Sequence, residues 1–580
     1  MLTDMGDRYA AAGPVPVQAI PATLQASLLA RLDRLAPVRE VAQIGAALGR
    51  RFSHELITAV AAMPQRQLDD ALAQLVRAEL IFRRGTPPNA EYTFKHALVQ
   101  DAAYSTLLRS RRQQLHARIA DTLKGEFPEI ATVQPALVAH HYEEAGLAEK
   151  AVEHWLAAGR QAWGRSMLSE AVSLLRHALA LIPGLPDSDW RREREFDLQI
   201  ALGQALVESQ GYSARDAGEA YARARQLSLA LDRPRALLLA LWGQWAYHVC
   251  RADLKLARQL ASEMRDLGEA GRDVPTRVLG YDASGFTCTD LGEFIPGRAY
   301  LEQSLALYDP AHRLFYTELL PNDALVQLQV YLSFLLVCVG DLNQAMSQRD
   351  AALQEARRLS HPHDLAIALA FAWITGRCVG WDPQSLCQCA DELVLLSVEY
   401  ELGFYRAVGV AMRGWCVAAL GQADEGIGLL TTGLAGMYKA GFMLYRPWFL
   451  TLLADACRMG GQLQAALDHL IEAQRLAEET QERWAQAETF RLHGHVLLTM
   501  GDPAAAEASY DNALAIARRQ SAKLWELCAA MSLARLWRDQ GKRTAAHQLL
   551  APVYDWFTEG FDTPHLKEAR ALLDELGGSA

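Results

Sequence analysis

The sequence predicts a mainly α-helical protein, in which a small winged-helix-like domain with a short β-hairpin precedes a long solenoid of paired helices. A motif recurs about every 40 residues through the second half of the chain. Only 8% of the residues are aromatic, Ala and Leu are frequent, and runs of β-branched residues are scarce. This composition favours helices over strands. The 580 residues exceed what one hydrophobic core organises, so we expect several domains or one elongated array.

Residues 21–130 are predicted to form the winged-helix-like domain, after a lead segment over 1–20. Apolar residues at helical spacing predict helices over 21–35, 38–48, 53–62 and 65–80. Ser53 is a candidate N-cap of the third helix. Two β-like runs then flank Gly85-Thr-Pro-Pro-Asn, which predicts a hairpin.

The repeat is most regular from 324 to 560, where a glycine marks the turn between two predicted helices. These glycines are Gly340, Gly380, Gly421, Gly461, Gly501 and Gly541. Five residues after most of them stands a small residue, as at Ala345 and Gly426, which lets two helices approach closely. Less regular copies extend upstream, so the repeat domain is assigned to 131–580. The spacing resembles the tetratricopeptide repeat, which implies a right-handed superhelix with a concave inner surface.

Aromatic residues recur sixteen positions before the turn glycine, in the predicted first helix of each pair. The candidate set is Tyr405, Arg406, Tyr445, Arg446, Trp484 and Trp525, with Trp484 one place out of register. First helices line the concave face of tetratricopeptide arrays, so the resemblance implies a surface for a protein, peptide or small effector. Packing between repeats is the competing interpretation, and we favour it.

The winged-helix-like domain and its lead segment form the basic part of an acidic chain. Positions 1–130 contain 16 Lys and Arg against 13 Asp and Glu, while the whole chain has a formal charge of −11. Candidate nucleic-acid contacts are Arg83, Arg84, Arg111 and Arg112. An excess of three charges is small for that role, so we favour a solvated or packed face over nucleic-acid binding.

Sequence patterns for catalysis or cofactor binding are missing. Gly541-Lys542 lacks the upstream glycine and the following Ser or Thr of a phosphate-binding loop. Cys378, Cys387 and Cys389 have no second cysteine pair at zinc-like spacing. His140-His141 lacks the carboxylate partners of an acid/base site, so structural histidines are expected. We therefore expect no catalytic, cofactor-binding or metal-binding residues, and no enzyme activity from this chain.

The N-terminal residues contain acids where a secretory signal has a basic region. The longest apolar stretches, such as 331–339, are about half the roughly 20 residues of a spanning helix. The nine cysteines are scattered, which is typical of reduced thiols. We expect a cytoplasmic protein without a membrane partner.

Four runs resemble one bacterial family, in the same order along the chain. They are Ile20-Pro-Ala-Thr-Leu-Gln-Ala-Ser, Phe94-Lys-His-Ala-Leu-Val-Gln-Asp-Ala-Ala-Tyr, Ala139-His-His-Tyr-Glu-Glu-Ala-Gly and Pro552-Val-Tyr-Asp-Trp-Phe-Thr-Glu-Gly-Phe. They resemble the C-terminal half of bacterial STAND-class predicted ATPases, many fused to class III adenylate/guanylate cyclase domains. Cyclase and ATPase motifs are absent here, so no catalytic or nucleotide-binding residue carries over.

The resemblance implies a non-catalytic sensor and protein-interaction module that binds its partner on the repeat superhelix. Two alternatives stay open. One is a DNA-binding transcriptional regulator that uses the winged helix. The other is a truncated half of a cyclase-ATPase, which works only with a separate cyclase/ATPase chain.

Overall fold

The computed structural model describes residues 2–4, 9–11, 36–211, 213–317, 319–320 and 322–577. The helix predicted over 21–35 lies outside these residues. The described residues form 29 α-helices and five short strands, which confirms the predicted mainly helical class. Internal contacts divide the chain into two compact units, 1–198 and 199–580. The predicted domain boundary at residue 130 stays a prediction.

The first unit contains two small antiparallel sheets among helices. Strands β1 (Leu2–Asp4) and β2 (Tyr9–Ala11) pair with each other. The next elements are α1 (Ala36–Leu48), β3 (Arg51–Ser53), α2 (His54–Ala61), α3 (Gln65–Arg77), β4 (Ile81–Arg84) and β5 (Glu91–Phe94). β5 lies between β3 and β4 in a three-stranded sheet. The predicted hairpin is confirmed as the β4–β5 pair, and β3 is an additional strand.

Local contacts explain how these elements begin and pack. The Ser53 hydroxyl accepts a hydrogen bond from the Leu56 N–H at 3.1 Å, so Ser53 caps α2 as predicted. Gly45 of α1 lies directly on the Phe52 ring of β3, where a Cβ would come within 2.7 Å of the ring. The sheet therefore packs closely against α1.

Helices complete the first unit. They are α4 (Ala97–Ser105), α5 (Arg109–Glu126), α6 (Pro128–Val133), α7 (Pro135–Glu144), α8 (Ala148–Gly164) and α9 (Leu168–Leu181). α7 packs on α8, and α8 packs on α9. A 3-10 turn at Ile182–Gly184 follows, and α10 (Asp189–Gln210) crosses the division between the units.

Two of the runs that carry the family resemblance meet inside the first unit. The Tyr104 hydroxyl lies 2.8 Å from Nε2 of His116 and donates to Glu144 at 3.2 Å. Nδ1 of His116 lies 2.8 Å from Nδ1 of His141, so one ring donates and the other accepts. Burial lowers the pKa of His116 to about 4 and that of His141 to about 3. Both rings are therefore neutral at pH 7.

Acid should destabilise the first unit through this histidine pair. Both folded pKa values lie below the ordinary value of 6.5, so the unfolded chain binds more protons and the free energy of unfolding falls as the pH drops from about 6.5 towards 4. Above pH 6.5 the pair adds no pH dependence. Urea unfolding at several pH values measures this, read by hydrogen-exchange mass spectrometry of α5 and α7 and corrected for intrinsic exchange.

His141→Asn should reduce the fall of the free energy of unfolding between pH 6.5 and 4. It should also destabilise the unit at pH 7 by about 1–3 kcal/mol, because a buried hydrogen bond is lost. His140→Asn is the matched control, since the neighbouring His140 is exposed. An unchanged acid slope in the His141 variant would contradict the assignment.

The second unit is an array of helix pairs. The first helices of the pairs are α12 (Pro234–Cys250), α14 (Val274–Asp290), α17 (Ala324–Val339), α19 (Pro362–Val379), α21 (Gly403–Ala419), α23 (Arg446–Met459), α25 (Gln486–Thr499) and α27 (Lys523–Asp539). The second helices are α13 (Leu254–Gly271), α15 (Phe294–Leu307), α18 (Leu342–Leu359), α20 (Pro383–Glu399), α22 (Ala423–Lys439), α24 (Leu463–Thr480), α26 (Pro503–Gln520) and α28 (Arg543–Tyr554). α11 (Arg215–Ala230) precedes the pairs, a 3-10 turn at Pro310–His312 and α16 (Arg313–Thr317) interrupt them, and α29 (Pro564–Gly577) follows.

The predicted turn glycines end the first helices. All six, from Gly340 to Gly541, have φ between +73° and +96°, a conformation that favours glycine. The small residue five positions later lies where two helices touch. A Cβ on Gly426 of α22 would approach the Gly414 carbonyl oxygen of α21 to 2.5 Å. The helix-pair interpretation of the repeat is confirmed.

Gly426→Ala should lower the melting temperature, although alanine favours helices more than glycine does. The added methyl meets backbone atoms of α21 that cannot move independently, and such overpacking costs about 1–3 kcal/mol. Gly428→Ala on the same helix is the control, because a Cβ there meets nothing within 4 Å. We expect this control to melt at the same or a higher temperature in calorimetry. Equal melting temperatures for the two variants would refute the close approach.

Several first helices are buried on nearly all faces, whereas the second helices expose one side. In α14 every residue from Pro275 to Asp290 is buried except Arg277. α17 is buried except at Leu325 and Gln329, while its partner α18 buries only Leu342, Ala345, Ala352 and Ala356. A helix that is buried all round has neighbours on every side. Among the described residues, no helix is long and apolar enough to cross a membrane.

Candidate functional site

Several of the first helices, which carry or closely follow the candidate ligand residues, pack against a distant part of the same unit. Residues of the segment 213–380 contact residues of the segment 440–565, and we call these contacts the seam. The Met443 and Leu444 N–H groups donate to the Cys250 carbonyl at 2.8 and 3.2 Å, and the Arg483 N–H donates to the Asp290 carbonyl at 2.7 Å. The Ser213 hydroxyl donates to the Ala440 carbonyl, Glu559 accepts from the Asn343 N–H, and His565 Nε2 donates to the Cys378 carbonyl.

The seam follows the period of the repeat. Cys250 and Met443 have the same separation along the chain as Asp290 and Arg483. In each pair, the residue at the end of one first helix meets the residue just before another first helix. From the Cys250–Met443 contact to the Asp290–Arg483 contact, both segments advance by one repeat of 40 residues. The turns of one segment therefore stay opposite the turns of the other.

Glycine at the turn has a second role in the seam. A Cβ on Gly340 would lie 2.9 Å from the Lys523 Cβ and 3.0 Å from the Phe557 ring, and one on Gly292 would lie 3.2 Å from the Arg483 Cβ. At Gly421, Gly461, Gly501 and Gly541 a Cβ would meet no atom of the described residues within 4 Å. The same repeat position is therefore crowded in the first segment and open from Gly421 onward.

An aromatic cluster fills the space between the two segments. Its members are Phe334, Phe371, Tyr445, Trp448 and Trp484. The rings of Phe334 and Trp484 are 4.7 Å apart, those of Trp448 and Trp484 are 4.9 Å apart, and Tyr445 lies 6.3 and 6.2 Å from Phe334 and Phe371. The three pairs other than Trp448–Trp484 are edge-to-face, an arrangement that adds about 0.5–1.5 kcal/mol per pair beyond the area that it buries.

The structure separates the aromatic residues of the candidate set. Tyr445 and Trp484 belong to the buried cluster, and Trp525 is buried with 3% of its surface exposed. Tyr405 is half-buried at the start of α21, 6.1 Å from the His363 ring. These positions fit the competing interpretation, packing between repeats. Contact of this set with a ligand stays a prediction, and in this conformation Tyr445, Trp484 and Trp525 are covered.

The two arginines of the set occupy different environments. Arg406 is exposed on α21. The Arg446 guanidinium lies 4.7 Å above the Tyr438 ring and 3.7 Å from the Glu472 carboxylate. Arg446 is therefore held by the preceding and following second helices.

The candidate nucleic-acid contacts are also divided. Arg83 and Arg84 are exposed on β4, which is an edge strand. Arg111 donates to the Glu40 carboxylate at 2.8 Å, and the Arg112 guanidinium lies 4.5 Å above the Tyr104 ring. Two of the four arginines therefore have partners inside the first unit, and a nucleic-acid role for the set stays a prediction.

Two carboxyl groups that the sequence did not single out lie at the seam. Glu482 accepts hydrogen bonds from the Tyr445 N–H at 2.9 Å and the Trp484 indole N–H at 3.3 Å. Burial nevertheless raises the pKa of Glu482 to about 8. Over the residues that the structure describes, neither carboxyl oxygen of the fully buried Asp290 has a hydrogen-bond partner of good geometry, although the Tyr445 phenol lies beside them. Burial and the nearby Glu482 raise the pKa of Asp290 well above its usual range.

Alkaline pH should destabilise the second unit through Glu482. Its folded pKa lies above the ordinary value of 4.5, so its contribution to stability is complete below pH 4.5 and is lost as the pH rises through 8. Glu482→Gln cannot ionise, so we expect a flatter decline of the melting temperature between pH 5 and 9. Calorimetry measures this, with Glu425→Gln on the exposed side of α22 as the control. Identical pH profiles for Glu482→Gln and the wild type would count against a buried neutral carboxyl.

No group of three or more His, Cys, Asp or Glu side chains that could hold a metal ion occurs in the described parts of the chain. The nine cysteines are free thiols, and Cys338 and Cys378 are buried. Each of these two cysteines stands two residues before a turn glycine, and their burial agrees with packing at that repeat position.

One sequence signal points to the seam. The stretch Ala324–Val339 is apolar on every helical face, which is unexpected for a helix that lines an open, solvated surface. The sequence did not indicate that Asp290 and Glu482 are buried, since both stand among polar residues that are typical of turns.

No protein-family model matches the chain. A curated, uncharacterized protein of Rhizobium meliloti (strain 1021) is 24% identical over 499 residues, which cover 85% of this chain and 47% of that protein. The chain therefore spans about half the length of the curated relative that it matches.

Several solved structures are similar at low sequence identity. A Rap protein complexed with Competence and Sporulation Factor is 13% identical, with 64% of this chain and 98% of that chain covered and a TM-score of 0.47. The apo quorum sensor NprR from B. thuringiensis is 12% identical, with 64% and 99% covered and a TM-score of 0.39. A STAND protein with a tetratricopeptide repeat sensor from Pyrococcus horikoshii is 11% identical, with 93% and 64% covered and a TM-score of 0.30. All three TM-scores are below 0.5, and none identifies a ligand of this chain.

Proposed function

We propose that this chain is a non-catalytic regulatory and protein-interaction module of a bacterial signalling ATPase or adenylate cyclase-like protein. In this proposal the second unit binds a protein, peptide or small effector. The observation that carries the proposal is the succession of eight helix pairs between Pro234 and Tyr554. Stacked pairs of this kind present long surfaces that suit the recognition of a partner.

Two further observations support a role in signalling. Four runs in order resemble STAND-class ATPases that combine a winged helix with tetratricopeptide repeats. In the first unit, the element order α1–β3–α2–α3–β4–β5 supports the winged-helix part of that resemblance. The Rhizobium relative extends well beyond the matched residues, which supports a working form with a further part, in the same chain or a separate one. In this proposal that part is the catalytic half of the STAND-class resemblance.

Binding to a catalytic half should protect the second unit. Hydrogen-exchange mass spectrometry compares the full chain with and without the ATPase–cyclase half of a STAND-class protein, supplied as a separate chain. We expect slower exchange within 199–580 and no change in α3 or β4. The purified chain alone should not hydrolyse ATP.

The double variant Arg83→Ala, Arg84→Ala is the control, and it should bind the catalytic half as the wild type does. Salt-sensitive binding of duplex DNA that this variant loses would favour the DNA-binding alternative instead. Protection that never appears in the second unit, or ATP hydrolysis by the purified chain, would overturn the proposal.

A further inference from the structure

We propose that the seam is a reversible closure of the second unit. In the open form, segments 213–380 and 440–565 separate, and the aromatic cluster becomes accessible while the helix pairs stay intact. The closed form is the conformation described above.

The two kinds of contact in the unit differ in a way that allows separation. Helix pairs contact each other and their sequence neighbours along whole helices, as α21 and α22 do. In repeat arrays generally, the stability of each repeat and its contacts with sequence neighbours supply most of the stability. Helix-to-helix packing across the seam, as between α17 and α27, is less extensive than packing within a pair. The hydrogen bonds of the seam, in contrast, join turns and helix ends. Separating the segments therefore leaves the packing within each pair unbroken.

Unsatisfied polar groups weaken the closed form. Within the described residues, the Gln520 side-chain oxygen is buried without a hydrogen-bond partner, and both carboxyl oxygens of Asp290 lack a partner at good geometry. The Tyr445 hydroxyl lies beside Asp290 and the Trp525 indole lies beside the Cys338 thiol, but neither makes a hydrogen bond of good geometry there. Each buried polar atom of this kind opposes burial, and water would satisfy it in the open form. The apolar contacts of the aromatic cluster and these polar groups therefore act in opposite directions at the same surface.

The acids at the seam also oppose closure when they are charged. The Asp290 carboxyl lies close enough to the Tyr445 phenol and the Glu482 carboxyl for electrostatic interaction. It also interacts electrostatically with the Cys250 and Cys338 thiols, and burial and this interaction raise their pKa. None of these groups is a cation, so ionised Asp290 has no charge partner among them. Opening lets the carboxyl groups ionise in water, and the open form is expected to gain population as the pH rises.

Opening uncovers Tyr445 and Trp484, the candidate ligand residues that the closed form buries. That consequence rests on the proposed function, whereas the closure does not. A partner that binds these residues has to select the open form, so its apparent affinity is reduced by the fraction of molecules that are open. The seam then acts as an autoinhibitory contact.

Turn glycines provide matched variants for the test. Gly340 and Gly421 both have φ of +96°, and Gly292 and Gly461 both have φ of +73°. Alanine therefore adds the same backbone strain within each pair. Only Gly340→Ala and Gly292→Ala introduce a methyl group into the seam, since nothing lies within 4 Å at Gly421 or Gly461.

Hydrogen-exchange mass spectrometry of peptides that contain the N–H groups of Met443, Leu444 and Arg483 measures opening, and small-angle X-ray scattering measures the radius of gyration. We expect the two seam variants to accelerate exchange at these amides by about tenfold or more and to increase the radius of gyration. Protection within α21 and α22 and the circular dichroism of the helices should stay unchanged. Gly421→Ala and Gly461→Ala should leave exchange at the seam amides and the radius of gyration as in the wild type, and the loss of protection that their backbone strain causes should stay within their own turns.

The wild-type chain gives an independent measurement if a seam variant fails to fold. Its seam amides should exchange faster than the amides within α14 and α17, and faster still at pH 9 than at pH 7 after correction for intrinsic exchange. Seam amides that exchange only together with those helices would overturn the proposal. So would seam variants that behave like their controls. Because no ligand takes part, failure of this test is distinct from failure of the proposed function.

Discussion

The closed form of the second unit depends on the burial of its first helices from two sides. The outer side of each helix packs on the second helix of its own pair, and the inner side of several of them packs across the seam. α17 is the clearest case, since it contacts its neighbours in sequence and also α27. In the closed form, its almost wholly apolar surface is covered by other helices on nearly every side. The remaining arrangement of the unit, from the crowded turn glycines to the buried aromatic cluster, follows from this double packing.

That packing brings unusual chemistry into the interior. A solenoid with an open inner surface would leave Asp290 and Glu482 in water, where both carboxyl groups ionise. The seam instead covers them and favours their neutral forms. Buried polar groups without complete partners are rare in stable cores, and they mark places where a structure has a second task. The two buried carboxyl groups and the aromatic cluster both lie at the seam. Burial of the aromatic rings therefore stabilises the seam, and burial of the carboxyl groups destabilises it.

The first unit shows a different use of buried polar groups. Tyr104, His116, His141 and Glu144 form a continuous chain in which every link has a partner. These residues, apart from His116, belong to two of the runs that resemble STAND-class ATPases. The family resemblance therefore has a structural counterpart: the runs build a specific hydrogen-bonded core in the first unit. No such explanation exists for Arg83 and Arg84, which are exposed on the edge strand.

The sequence by itself determined the helix pairs, the turn glycines, the small residue at each helix contact and the β4–β5 hairpin. These features are local, because capping, turn conformation and helix-to-helix spacing involve residues within one repeat. Only the tertiary structure decided that Tyr445, Trp484 and Trp525 of the candidate ligand set are covered. Gly340 and Gly421 have the same repeat position and the same φ of +96°, yet one lies against Lys523 and Phe557 and the other faces open space. The partners of a seam residue stand several repeats away along the chain, and the period of the repeat contains no information about which turns of the array meet.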